Sequence, residues 1–193
     1  MRVIAGVHRG RRLLGPSGHA LRPTSDRVKE ALFSIIGGRI VGARVLDLYA
    51  GTGALGIEAL SRGAAHVTFV EQDRAAGRIL QTNLERCRSS DAPVVELCAC
   101  RVESYLRRAA YWPHPVDIVL ADPPYADTAE LIAALALVPA DAFAARALLV
   151  LEHAKKTALS ARMGDFRLVR RYDYGDTALS VLHRGEAESS GAS

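Results

Sequence analysis

Residues 122–125 read Asp-Pro-Pro-Tyr, a combination suited to holding an aromatic amine. Proline has no N–H and a restricted backbone, so the carbonyls of Pro123 and Pro124 stay available as acceptors. Asp122 adds a carboxylate acceptor, and Tyr125 adds a flat face on which a base can stack. An exocyclic amine offers two N–H donors and a lone pair delocalised into its ring. Accepting both hydrogens turns the nitrogen towards sp³ and aims the lone pair at an electrophile such as an activated methyl group. A second group, Asp47-Leu48-Tyr49-Ala50-Gly51-Thr52-Gly53-Ala54-Leu55-Gly56, has the G-x-G-x-x-G spacing of a turn whose backbone closes on a ligand. Glu71, twenty positions after Gly51, can accept hydrogen bonds from both hydroxyls of a ribose. A nicotinamide cofactor would suit Gly51, Gly53 and Glu71 equally. Asp47, four positions before Gly51, and the tetrapeptide at 122–125 argue for a different adenosine cofactor.

These groups must sit at the ends of strands. Apolar runs at 45–49, 67–71, 94–98, 116–120 and 147–151 alternate with helical patterns at 55–62, 75–84, 102–110 and 131–138. Repeated βα units of this length imply a mostly parallel sheet with right-handed crossovers, whose carboxyl edge binds ligands. Both chemical groups follow strands and so fall on that edge. Residues 166–172 and 177–183, separated by Gly175-Asp176, read as a closing hairpin that adds an antiparallel strand at the sheet edge. Before the sheet, 2–6 and 11–14 flank a glycine turn and read as a basic hairpin. Pro23-Thr24-Ser25 offers a helix start, and Val28, Ala31, Leu32, Ile35 and Ile36 form an apolar helical face. The expected organisation is an N-terminal hairpin-and-helix appendage at 1–36, a catalytic α/β domain at 37–184 and a disordered tail at 185–193.

With 193 residues, 49% of them hydrophobic, the chain can bury one core, and membrane spans and disorder are excluded as its main character. The expected location is the cytoplasm. Cys87, Cys98 and Cys100 form no CxxC pair and are expected to be reduced. No spaced set of His, Cys and Asp suggests a metal. The net charge is +4, but residues 1–30 alone carry seven basic side chains against two acidic ones, a net +5. Such an excess confined to one end suits contact with a polyanion, through Arg9, Arg11, Arg12, Arg22 and Arg27; a solvated basic surface is the alternative.

The Asp47 to Glu71 segment resembles the S-adenosylmethionine site of class I methyltransferases, and residues 122–125 resemble the motif of those that modify exocyclic amines. More narrowly, Arg2-Val3-Ile4-Ala5-Gly6, Arg9-Gly10-Arg11-Arg12-Leu13 and Arg22-Pro23-Thr24-Ser25-Asp26-Arg27-Val28-Lys29-Glu30-Ala31-Leu32-Phe33 resemble the RsmD family of bacterial small-subunit ribosomal RNA guanine-N2 methyltransferases. The resemblance covers roughly residues 1–184. It implies a seven-stranded, mostly parallel Rossmann-like sheet and S-adenosylmethionine as methyl donor. It also implies 16S rRNA as substrate, free or within the small subunit or an assembly intermediate, and a monomeric enzyme. Tyr49 stands where many class I enzymes have their first glycine, which would place its ring over the cofactor. After the third strand, Ala99-Cys100-Arg101 lacks the acidic residue that often accepts the adenine amine, so backbone groups of Ala99 and Cys100 are its expected substitutes. Two alternatives share parts of this pattern: a DNA adenine-N6 or cytosine-N4 methyltransferase, and a non-catalytic RNA-binding or ribosome-assembly protein.

Overall fold

The computed structural model describes residues 1–15, 26–87, 93–124 and 126–185. Arg22, Tyr125, the helix-start residues Pro23-Thr24-Ser25 and the tail after Gly185 lie outside the described residues.

Five parallel strands form the first part of one sheet: β1 (Arg44–Leu48), β2 (His66–Val70), β3 (Val94–Cys98), β4 (Val116–Ala121) and β5 (Phe143–Ala154). Three antiparallel strands complete it: β6 (Arg162–Met163), β7 (Phe166–Tyr174) and β8 (Thr177–Arg184). Their order is β3-β2-β1-β4-β5-β8-β7-β6, so among the described residues the sheet has eight strands rather than the seven expected. The additional strand is β6. Its two residues are too short to carry any periodicity, and only their pairing with Phe166 and Arg167 makes them a strand. β5 also runs well beyond the expected 147–151: β8 pairs with it along residues 148–154, and at its start Phe143 lies opposite Val116 of β4.

Both faces of the sheet are covered, as parallel strands require. On one face lie α1 (Asp26–Ile36), α2 (Ala54–Ser61) and α3 (Arg74–Arg86); their Leu32, Phe33, Ile57 and Leu80 pack on Val45, Val67 and Phe69. On the other lie α4 (Val102–Leu106) and α5 (Thr128–Leu135), whose Leu106, Leu131 and Leu135 pack on Leu46, Leu48 and Val119. The helical pattern expected over 102–110 stops at Leu106, and a separate 3-10 turn follows at Ala109–Tyr111.

The N-terminal hairpin is present only as a single antiparallel bridge, Arg2 to Arg12, flanked by backbone bonds such as Val3 N–H to the Arg11 carbonyl (3.0 Å). It does not form the two strands expected because α2 takes its backbone donors. Glu58 accepts the N–H groups of Ile4 (2.7 Å) and Ala5 (2.9 Å), while the Ser61 carbonyl accepts that of Val7 (2.9 Å) and its hydroxyl that of His8 (3.0 Å). Buried backbone N–H groups must find acceptors, and here a helix supplies them in place of a neighbouring strand. Val3 and Leu13 complete the docking by entering the α1–α3 core.

Candidate functional site

Strand register brings the chemical residues together. Leu48 lies opposite Val70 and Ala121, Val70 opposite Cys98, and Ala121 opposite Leu151. The next residues along these strands, Tyr49, Glu71, Ala99 and Asp122, therefore line one carboxyl edge. Chain order reverses between β1 and β4, with β2 and β3 to one side and β5 to the other. In open α/β sheets this switch point opens the crevice where ligands sit.

The loop after β1 is shaped by left-handed backbone at Tyr49 (φ 57°), Gly51 (φ 56°) and Gly53 (φ 85°). Its glycines serve different ends. A Cβ on Gly53 would sit 2.2 Å from Leu80 Cδ1 and one on Gly56 2.2 Å from Phe69 Cε1, so these two allow α2 to pack on α3 and β2. A Cβ on Gly51 would meet nothing nearer than the Tyr49 carbonyl at 3.9 Å, so this glycine borders open space. The Gly51 N–H donates to Glu71 Oε2 (2.7 Å), and the Asp73 N–H donates to Glu71 Oε1 (2.6 Å). Glu71 thus joins the ends of β1 and β2 while each of its oxygens retains capacity for a further donor.

Asp47 is buried, with Oδ2 accepting the Gly56 N–H at 2.8 Å. Burial pushes its carboxyl up to about 7; the charges of Asp122 and Glu71 add to the rise, and the Gly56 hydrogen bond opposes it. The carboxylates of Glu71 and Asp122, one residue past the ends of β2 and β4, thus lie close enough for their charges to act on Asp47. After β4, the Pro124 carbonyl accepts the Asp127 N–H at 2.8 Å, which joins the Asp-Pro-Pro segment to the start of α5. Pro123 is buried and Pro124 exposed. Ala99 is exposed and Cys100 half-buried; the Cys100 N–H donates to the Cys98 carbonyl (3.0 Å), which also receives the Glu71 N–H (3.1 Å).

The basic residues lie on the N-terminal arm and α1, away from the core. Arg9, Arg12 and Arg27 are exposed, and the exposed Arg11 donates to the Arg86 carbonyl at the end of α3. The arm is tied to the glycine loop by Asn83, a fully buried side chain to which sequence reasoning gave no role. Asn83 Nδ2 donates to the carbonyls of Thr52 (2.9 Å) and Leu14 (3.0 Å), and its Oδ1 accepts the Leu14 N–H (2.7 Å). The available signal was an amide on the otherwise apolar face of α3. Glu58 and Lys29 were also missed. Their side chains are 0% and 1% exposed and lie 3.4 Å apart, and Arg62 Nε donates to Glu58 at 2.8 Å. Lys29 also donates to the Arg2 carbonyl. Burial lowers the Lys29 pKa, and Glu58 works in the opposite direction.

A 3-2-1-4-5 parallel order closed by antiparallel strands, a glycine loop after β1, an acidic residue ending β2 and Asp-Pro-Pro after β4 define a class I methyltransferase fold. The solved structure of yhhF from Escherichia coli superposes with a TM-score of 0.79 at 35% identity, covering 96% of this chain and 98% of that one. The chain belongs to the family described as Conserved hypothetical protein 95, the RsmD family, whose model matches residues 1–183. It is 37% identical to YlbH of Bacillus subtilis (strain 168) over 191 residues, covering 95% of this chain and 99% of that protein. It is 45% identical over 125 residues to "Ribosomal RNA small subunit methyltransferase D" of Escherichia coli (strain K12), a match that spans 65% of this chain and 60% of that protein.

Proposed function

We propose that this protein methylates the exocyclic N2 amine of a guanine in small-subunit 16S ribosomal RNA, with S-adenosylmethionine as methyl donor. The observation that carries the reading is the meeting, at one switch point, of the Asp122-Pro123-Pro124 segment with the glycine loop and Glu71. The donor fits these residues on charge: burial, and then the charges of Asp122 and Glu71, raise the cost of ionisation at Asp47, and a cation beside them relieves it. It fits on shape as well, because Gly51 borders open space. The relatives named as small-subunit methyltransferases supply the RNA class.

When bound, the sulfonium supplies an electrophilic methyl group, so the protein has to position more than to activate. Glu71 holds the ribose hydroxyls, Asp47 braces the loop through Gly56, Tyr49 covers the cofactor, and backbone groups of Ala99 and Cys100 face the adenine. Asp122 and the Pro123 carbonyl accept the two amine hydrogens, and Tyr125 stacks on the base. The Pro124 carbonyl also accepts the Asp127 N–H, which shapes the loop that carries these groups. After methyl transfer the nitrogen is cationic and acidic and gives its proton to water, so no strong base is needed. Because stacking hides the amine, the guanine must be flipped or unpaired. Arg9, Arg11, Arg12, Arg22 and Arg27 contact phosphates, and the protein acts as a monomer in the cytoplasm, on the small subunit or an assembly intermediate.

A radiolabelled methyl-transfer assay on small subunits, naked ribosomal RNA and DNA tests this. Label in guanine N2 of 16S rRNA is expected. Label in DNA supports the adenine-N6 or cytosine-N4 alternative, and no transfer with intact RNA binding supports a non-catalytic assembly role.

A further inference from the structure

Tyr49 is the only non-glycine residue with positive φ among the described residues, at 57°. Left-handed backbone is costly for a residue with a Cβ and persists where the surroundings over-determine it, often at functional sites. At Tyr49 the main chain leaves β1 for α2, which packs on one face of the sheet, while the side chain packs against the α4–α5 core on the other. The ring thereby reaches from the end of β1 to α4. Its hydroxyl donates to Glu103 Oε1 at 3.1 Å. Glu103 is 6% exposed, and its other oxygen accepts Arg101 Nε at 3.1 Å. Arg101 in turn lies 3.3 Å from Glu130 on α5. Nothing else in the proposed chemistry uses Glu103, yet its carboxylate is buried next to the switch point.

We infer that Glu103 is a positioning residue: by accepting the Tyr49 phenol it holds the left-handed loop and its ring in place against the methyl donor. This rests on the methyltransferase reading. Glu103 touches neither donor nor base; it acts through Tyr49. The Arg101–Glu130 pair is exposed and contributes little by itself, so the effect resides in the buried Tyr49–Glu103 bond. Removing either partner frees the ring, and removing the second then changes nothing further.

The test is a double-mutant cycle read by calorimetric affinity for S-adenosylhomocysteine, using wild type, Tyr49→Phe, Glu103→Met and the double variant. Each single variant is expected to bind about tenfold more weakly, the effect of losing a hydrogen bond to a charged acceptor, and the double variant within twofold of the singles. In steady state, kcat falls while KM for RNA stays constant. Singles within twofold of wild type, or losses that multiply in the double variant, overturn the inference while leaving the methyltransferase reading intact. A wild type that binds no S-adenosylhomocysteine overturns both. Should Glu103→Met not fold, Tyr49→Phe keeps the ring and decides the matter by the same tenfold criterion.

Discussion

Replacing Glu58 with glutamine should unfasten the N-terminal arm from the methyltransferase fold. The native carboxylate is fully buried and serves four donors: Ile4 N–H at 2.7 Å and Lys29 Nζ at 3.4 Å on Oε2, and Ala5 N–H at 2.9 Å and Arg62 Nε at 2.8 Å on Oε1. Glutamine has the same shape but one acceptor oxygen, and its NH₂ must face one of these pairs donor to donor. Each lost hydrogen bond to a charged group costs about 1.5–3 kcal/mol. Leaving Lys29 without its counter-charge falls in the range of about 3–5 kcal/mol for breaking a buried pair. These losses overlap, so the expected destabilisation is about 3–5 kcal/mol in total, a large part of the stability of an ordinary domain. The pH dependence follows from Lys29. Burial already lowers its pKa, Glu58 holds it up, and glutamine removes that support. A lysine whose folded pKa lies below its unfolded value binds fewer protons when folded, so stability rises with pH between the two values. The variant should therefore recover part of its loss between neutral and alkaline pH. Urea denaturation at several pH values measures the loss, and hydrogen exchange at Val3, Ile4 and Ala5 locates it. A change below about 1 kcal/mol, the worth of one ordinary hydrogen bond, or unaltered exchange in the arm, would refute this account of how the arm is held.

Further outcomes are expected at the site and on the arm. Glu71→Ala should weaken S-adenosylmethionine binding by about 1.5–3 kcal/mol in calorimetry, the worth of hydrogen bonds to a charged group. Asp122→Ala should abolish methyl transfer while S-adenosylhomocysteine affinity stays near wild type; near-normal turnover would remove its assigned role. The Asp47 carboxyl is raised from 3.8 to about 7 in the fold, so its favourable contribution is complete below 3.8 and is lost as pH rises through about 7. The ligand-free protein should therefore lose stability over that window, and Asp47→Asn should flatten the decline in urea midpoints at pH 5 and 8. Replacing Arg9, Arg11 and Arg12 together should reduce the log–log salt slope of RNA binding by roughly two to three units, with cofactor affinity unchanged. Superimposable salt curves would make the arm a solvated surface.

What the sequence by itself determined is local and periodic. Apolar runs of strand length, each followed by a helical repeat, specify parallel βα units, and parallel units place whatever follows a strand on one edge. That logic made Asp47, Gly51, Glu71 and Asp122 legible as one site, and the register of Leu48 with Val70 and Ala121 is what unites them. The glycine spacing was legible too, but not the separate work of its members: Gly53 and Gly56 yield to Leu80 and Phe69, partners distant in sequence, while Gly51 borders open space. β6 had no sequence signal, because a two-residue strand exists only through its partner. The arm shows the difference most clearly. Its short runs at 2–6 and 11–14 around a turn glycine suggested a two-stranded hairpin, yet Glu58 and Ser61 take N–H groups of the first run and the turn after it, because a buried carboxylate and a helix-end hydroxyl stand in reach of them. Glu58, Lys29 and Glu103 look in sequence like ordinary polar residues of helix surfaces, and Asn83 like a lone amide on an apolar face. Only the tertiary structure buries them, and burial turns a charge or an amide from a solvated group into one that must be paired.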